Sequence, residues 1–220
     1  MAFSRRYWLV LALCLALQGL GQVRADLVVL HTNDVHCGVE NQLGYAQLAQ
    51  YKKDLMKNPD DTVQLVDAGD AIQGEPLGSL TRGQAVIDIM NVAGYDFAIP
   101  GNHEFDYGMA RFLELAPQLN GGYYSCNLID LRTGKPVFPP YKMVTYDGGK
   151  KAAFIGVTTP QTLISSTPRY FQDDKGQFIY GFSEDATGQK LYEQVQKAQL
   201  VAGIEEGGAG GRGEAHSVAA

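Results

Sequence analysis

The sequence predicts a layered α/β protein. Short apolar runs recur along the chain, and segments with helical periodicity stand between them. A third observation concerns polarity: three polar clusters each follow directly on an apolar run.

Residues 27–30 (LVVL) read as a buried parallel strand. Residues 45–56 read as a helix, with Tyr45, Leu48, Ala49, Leu55 and Met56 on one face. Residues 63–66 form the second strand. Val86, Ile89, Met90 and Ala93 repeat at helical spacing, and Gly94 fits a helix stop. Residues 97–99 are a third strand, residues 107–115 a helix ended by Pro117, and residues 123–126 a fourth strand. Residues 141–146 and 152–157 flank Asp147-Gly148-Gly149 and read as a hairpin. Residues 158–181 carry Pro160, Pro168 and several Ser and Thr, so they read as a loop or lid. Residues 183–202 read as a helix, with Leu191, Val195, Ala198 and Ala202 at i, i+4, i+7 and i+11.

The length of 220 residues suits one ordinary domain, and 45% hydrophobic content supplies a core. That composition excludes a fully disordered chain. With 19% charged residues and a net charge of −6, acids outnumber bases, which speaks against a nucleic-acid partner. Three cysteines make no disulfide scaffold and no zinc-ribbon spacing.

The two ends read differently from the middle. Arg5 and Arg6 precede an apolar run at residues 7–17, and Val23-Arg24-Ala25 is a small-residue cleavage site. Residues 1–25 are therefore expected to be an export signal, and the mature chain to begin at Asp26 and be secreted, periplasmic or held at the cell surface. An uncleaved anchor helix is the alternative. The run falls short of the ~20 residues that span a bilayer, so no membrane span is expected after cleavage. Losing this segment removes three arginines and no acid, leaving 15 bases, 24 acids and a net charge of −9. Cys37 and Cys126 then remain, either paired in an oxidising compartment or as buried thiols. Residues 203–220 are glycine-rich and without hydrophobic period, so they are expected to be a disordered tail, natural or the product of a frameshift. The domain proper is expected over residues 26–202.

The polar clusters are HTNDVH at residues 31–36, DAGDAIQ at 67–73 and GNHEFD at 101–106. In open α/β sheets ligands bind beyond the carboxyl ends of strands, so three such ends can converge on one point. Asp, His and Asn donors suit Zn, Mn or Fe rather than a thiolate site. Asp34 and His36 are two apart, which in an extended segment puts both on one side. Gly69 allows close backbone approach beside Asp70. Taken singly, each cluster also reads as a turn, and His31 reads as a strand-end residue rather than a ligand.

The runs LHTNDVHCGVE, LVDAGDAIQGEPLGSL and DFAIPGNHEFDYG together resemble the calcineurin-like metallophosphoesterase superfamily, and more narrowly the secreted 5′-nucleotidase and UDP-sugar hydrolase family. The resemblance spans residues 26–202. It implies an α/β/β/α domain, two divalent metal ions and hydrolysis of nucleotide phosphate esters, with a nucleotide as the small-molecule partner. By motif, Asp34 and His36 would bind the first metal, Asp70 would bridge both, and Asn102 would bind the second. His103 would contact the scissile phosphate, oriented by Asp106. Asp34 and Asp70 are then expected to meet at one ion, and the crowding of carboxylates to raise at least one carboxyl pKa. Family members also carry a later histidine and a Gly-His-x-His or Gly-His-x-Gln segment, and a C-terminal domain that stacks the base. This chain has no histidine between His103 and His216 and no Gly-His pair. The resemblance therefore implies a domain incomplete on its C-terminal side, with an incomplete second metal site and impaired activity. A 2′,3′-cyclic nucleotide phosphodiesterase and an inactive truncated product are the alternatives.

Overall fold

The computed structural model describes residues 26–40 and 43–183. The expected signal, the glycine-rich tail and all but the first residue of the expected helix over 183–202 lie outside the described residues.

A parallel sheet positions everything else. Strand β1 (Leu27–Thr32) pairs with β2 (Thr62–Asp67) over its whole length, and β2 pairs with β3 (Phe97–Ala98), giving the order β1-β2-β3. Parallel neighbours need a crossover. Helix α1 (Gly44–Leu55) lies between β1 and β2. Helices α2 (Pro76–Thr81) and α3 (Gln84–Ala93) lie between β2 and β3. Helix α4 (Met109–Leu115) follows β3.

The helical faces differ in detail from the periodicity reading. Helix α3 buries Val86, Ile87, Met90 and Ala93, so Ile87 takes the place expected of Ile89. It stops as expected at Gly94, whose φ of 82° is the left-handed cap that glycine adopts without strain. In α1 the buried residues are Tyr45, Leu48 and Lys52, while Met56 is exposed. Lys52 is buried because its ammonium reaches partners: Nζ donates to the Gly94 carbonyl at 2.6 Å and to Asp96 Oδ2 at 2.5 Å. Asp96 Oδ2 also accepts the Leu65 amide at 2.8 Å, so one ion pair ties α1, the end of α3 and β2 together.

Two further sheets complete the chain. Strands β6 (Tyr141–Tyr146) and β7 (Lys150–Ile155) form the expected hairpin, with Tyr146 opposite Lys150 across the Asp147-Gly148-Gly149 turn. Strand β4 (Leu128–Asp130) lies between β5 (Lys135–Pro136) and β8 (Tyr180–Phe182), all antiparallel.

The expected strand over 123–126 is not a ladder strand. It makes one parallel bridge, Tyr123 to Ala98. On its other side the Ser125 amide bonds to the Pro139 carbonyl and the Cys126 amide to the Gly156 carbonyl. Prolines 139 and 140 have no N–H to return, so a regular ladder cannot form there. The expected loop over 158–181 is also more structured than its composition suggests. It contains helix α5 (Thr162–Ser165), a 3₁₀ turn over Pro168–Phe171 and the start of β8. Phe171 is fully buried, with its ring 5.0 Å from that of Phe105. The segment is thus packed against the body of the protein. Cys37 and Cys126 are both buried free thiols, and burial pushes Cys37 up to about 11.

Candidate metal centre

The three polar clusters leave the same edge of the parallel sheet, and backbone hydrogen bonds lace them together. The amides of Asp34, His36 and Cys37, beyond β1, donate to the carbonyls of Gly69, Asp70 and Ala71, beyond β2, at 3.1, 2.9 and 3.0 Å. This lacing requires left-handed backbone. Asp34, His36, Cys37 and Asp70 have φ of 54°, 47°, 63° and 60°. Such φ values are uncommon outside glycine, though Asp, Asn and His tolerate them best. Gly69 is needed for a different reason: its φ is 110°, and a Cβ there would lie 2.6 Å from the Gly101 nitrogen. The loops beyond β2 and β3 therefore touch backbone to backbone.

A residue absent from the sequence expectations joins those two loops. Glu104 is fully buried, and its carboxylate accepts four amides. Oε2 accepts those of Asp70 at 2.8 Å and Gly101 at 2.7 Å. Oε1 accepts those of Ala71 at 2.8 Å and Ile72 at 3.4 Å. Burial, then the charge of Asp70, push its pKa up against the pull of these amides. No spacing marks Glu104 in the sequence, because an acid in a polar turn reads as solvated.

On this frame the side chains of His36, Asp70 and His103 converge. One potential ligand atom from each lies within 4.8 Å of the other two. His36 Nδ1 is 3.0 Å from the Gln73 carbonyl, a contact that makes Nδ1 the protonated nitrogen and leaves Nε2 as the free donor. The His36 and His103 rings stand edge to face with centroids 4.8 Å apart. Asp34 is more exposed. Its Oδ1 lies 3.8 Å from His36 Nε2, its Oδ2 accepts from Asn33 Nδ2, and its carboxyl is within hydrogen-bonding reach of Asp70. Asp70 is 9% exposed, and one of its oxygens accepts the His103 amide at 2.7 Å. Burial raises the Asp70 pKa and Asp34 adds to that, while the amide and charge of His103 oppose it. Asn102 opens the 3₁₀ turn His103–Phe105, adjacent in the chain to His103. His31 stays within β1, opposite Val66.

Behind His103, Nδ1 is 2.6 Å from Asp106 Oδ2. Burial pulls the His103 pKa down, but the hydrogen bond and charge of Asp106 outweigh it and the net direction is up. The other oxygen of Asp106 accepts a hydrogen bond from Ser166 at 3.0 Å. Nothing in the sequence points to Ser166, because it lies 60 residues away in a segment read as a loop.

The donor set can be tested against a divalent cation. The Nε2 of His36, with Nδ1 tied to a carbonyl, meets the buried carboxylate of Asp70, with the Asp34 carboxyl within reach of both. This is the chemistry of an intermediate-to-hard cation site, and the residues fit one.

Comparison with known proteins identifies the family. The family profile described as "Calcineurin-like phosphoesterase" matches residues 27–198. A snake venom 5′-nucleotidase from Gloydius brevicauda is 34% identical over 163 residues, covering 65% of this chain and 27% of the venom protein. A 2′,3′-cyclic-nucleotide 2′-phosphodiesterase/3′-nucleotidase from Salmonella typhimurium is 30% identical over 164 residues, covering 63% of this chain and 25% of that protein. Among solved structures, a 5′-nucleotidase precursor from Thermus thermophilus superposes with a TM-score of 0.65 at 28% identity, covering 81% of this chain and 35% of that one. The chain spans about a quarter of the length of these curated relatives. Fold, convergent donors and a profile match over most of its length together place the chain in the calcineurin-like phosphoesterase family.

Proposed function

We propose that this chain is an exported, metal-dependent hydrolase of nucleotide phosphate esters, of the 5′-nucleotidase type, impaired where later metal-ligand motifs are not present. The observation that carries the reading is the meeting of His36, Asp70 and His103 within 4.8 Å at the carboxyl edge of the parallel sheet. Asp34, His36 and Asp70 would hold a first divalent ion, with Asp70 and Asn102 offering donors to a second. Bound there, such ions supply charge neutralisation for a phosphate and a water of lowered pKa. His103 would face the phosphate. With Nδ1 engaged by Asp106, its Nε2 is the atom that can donate a proton toward the leaving oxygen. The raised pKa of His103 favours the protonated form that this donation requires. Asp106 holds the ring and balances its charge. The export reading rests on residues 1–25, the nucleotide reading on the motifs and named relatives, and the UDP-sugar reading on the motifs alone.

The cyclic-nucleotide phosphodiesterase relative supports a second substrate class for the same residues. The full chain with Mn²⁺ or Zn²⁺ would be offered AMP, UDP-glucose and 2′,3′-cyclic AMP, and phosphate or nucleotide release followed. Release that needs the metal, is abolished by a chelator, and falls at least about a hundredfold in His103→Ala is expected, in line with a lost general acid. Metal-dependent release from none of the three would overturn the hydrolase reading of this chain in favour of the inactive truncated product.

A further inference from the structure

We infer that Ser166 is a positioning residue that locks the Asp106–His103 pair through a hydroxyl hydrogen bond. Asp106 has two carboxylate oxygens and each meets a different partner. Oδ2 is 2.6 Å from His103 Nδ1, and Oδ1 accepts the Ser166 hydroxyl at 3.0 Å. The terminal torsion of an aspartate is broad and two-fold, so a carboxylate held at one oxygen still pivots. Held at both, its plane is fixed, and the imidazole bonded to it is fixed as well.

The hydroxyl itself is held by the core. The Ser166 amide donates to the Thr162 carbonyl at 3.0 Å, and Thr162 is fully buried. Five residues further on, Phe171 is buried against Phe105, whose own turn carries His103. Tyr170 lies over Gly108, two residues beyond Asp106. The segment that presents Ser166 is therefore in contact with the turn that presents the histidine at two points. Sequence separation hides this, since 60 residues lie between Ser166 and Asp106.

The geometric claim concerns Asp106 and His103 alone. Only its kinetic meaning rests on the hydrolase reading above. The test is accordingly built on a readout that needs no turnover. The full chain, labelled with ¹⁵N at its four histidines, would be studied by NMR, with His103 assigned from a His103→Gln variant. The wild type is expected to show a His103 Nδ1–H that exchanges slowly with water. Ser166→Ala should speed that exchange about tenfold, the factor expected for losing one hydrogen bond to a charged acceptor. Ser166→Thr, which keeps a hydroxyl, should restore it, and the His31 signal should not move, whereas the His36 ring, in contact with His103, can shift with it. Exchange in Ser166→Ala within about twofold of wild type would overturn the inference. So would a Ser166→Thr variant that behaves like alanine, since loop packing rather than the hydroxyl would then be responsible. Where metal-dependent hydrolysis is measured, Ser166→Ala should lower kcat about tenfold with KM nearly unchanged. Absence of any turnover would sink the hydrolase reading and leave the exchange measurement to decide on Ser166.

Discussion

Four amides from two loops meet on the carboxylate of Glu104, which lies out of contact with water. Glutamine at that position has the same shape but turns one oxygen into an NH₂ group, which then faces amide hydrogens. Glu104→Gln should therefore destabilise the protein by about 2 kcal/mol, the scale of hydrogen bonds to a buried charged acceptor, and urea unfolding would measure it. Asp67 is the other fully buried carboxyl. Burial first, and the charge of Glu104 second, raise its pKa well above the usual carboxylate range, while the Thr32 hydroxyl at 2.7 Å and the Gly69 amide at 3.1 Å hold it down. The folded chain thus keeps this proton to higher pH than the unfolded chain does. Stability contributed at low pH is lost as pH rises above the unfolded value of about 3.9 and through the folded one. Asp67→Asn fits the same partners, because its amide nitrogen can donate to Thr32 while its oxygen accepts from Gly69. The variant is expected to flatten the fall in stability as pH rises above about 4, measured as unfolding free energy against pH. An unchanged slope would show that Asp67 titrates alike in both states.

Strands β1 and β2 were legible because the short apolar runs LVVL and VQLV, the second broken only by Gln64, stand out in a polar neighbourhood. Helix α2 was not legible. It has six residues, too few for a helical period, and its one signal is a proline in the first turn. The segment over 123–126 misled for a different reason. Its composition is that of a strand, but the neighbour that would complete the ladder carries two prolines. Lys52 shows the limit of reading a helix face by hydrophobicity. It occupies a buried position of α1 because the end of α3 supplies a carbonyl and Asp96 a carboxylate. Lys52→Met keeps most of the packing but strands Asp96 without its cation. A loss of about 2 kcal/mol or more in unfolding free energy is expected, and the double variant Lys52→Met with Asp96→Asn should recover part of it.

For the molecule as a whole, the formal charge of −6 opposes an anionic ligand, and the centre adds carboxylates of its own. Divalent cations should therefore stabilise the fold as they bind. At a hundred times the dissociation constant the gain is about 2.7 kcal/mol, visible as a rise in Tm with Mn²⁺ or Zn²⁺. His36→Ala and Asp70→Asn should each remove most of that rise. The sequence made the convergence of Asp34, His36, Asp70 and His103 legible because each stands at a strand end, and parallel strand ends share one edge. Glu104 and Ser166 were hidden because their roles exist only between segments far apart in the chain.

The four amides held by Glu104 also set an order of events during synthesis. A chain that has grown to residue 100 already contains both partners of the β1–β2 ladder. It does not yet contain the acceptor that Asp70, Ala71 and Ile72 need. Until residue 104 leaves the ribosome, the amides of the loop beyond β2 have only water to bond. The Ser166 hydroxyl arrives later still, at a translation rate of about 5–20 residues per second. The scaffold strands are thus complete before the chemical centre can settle. A pause or a chaperone acting between these two points would meet a chain that holds both strands of the β1–β2 pair but not yet the residues that complete the metal centre.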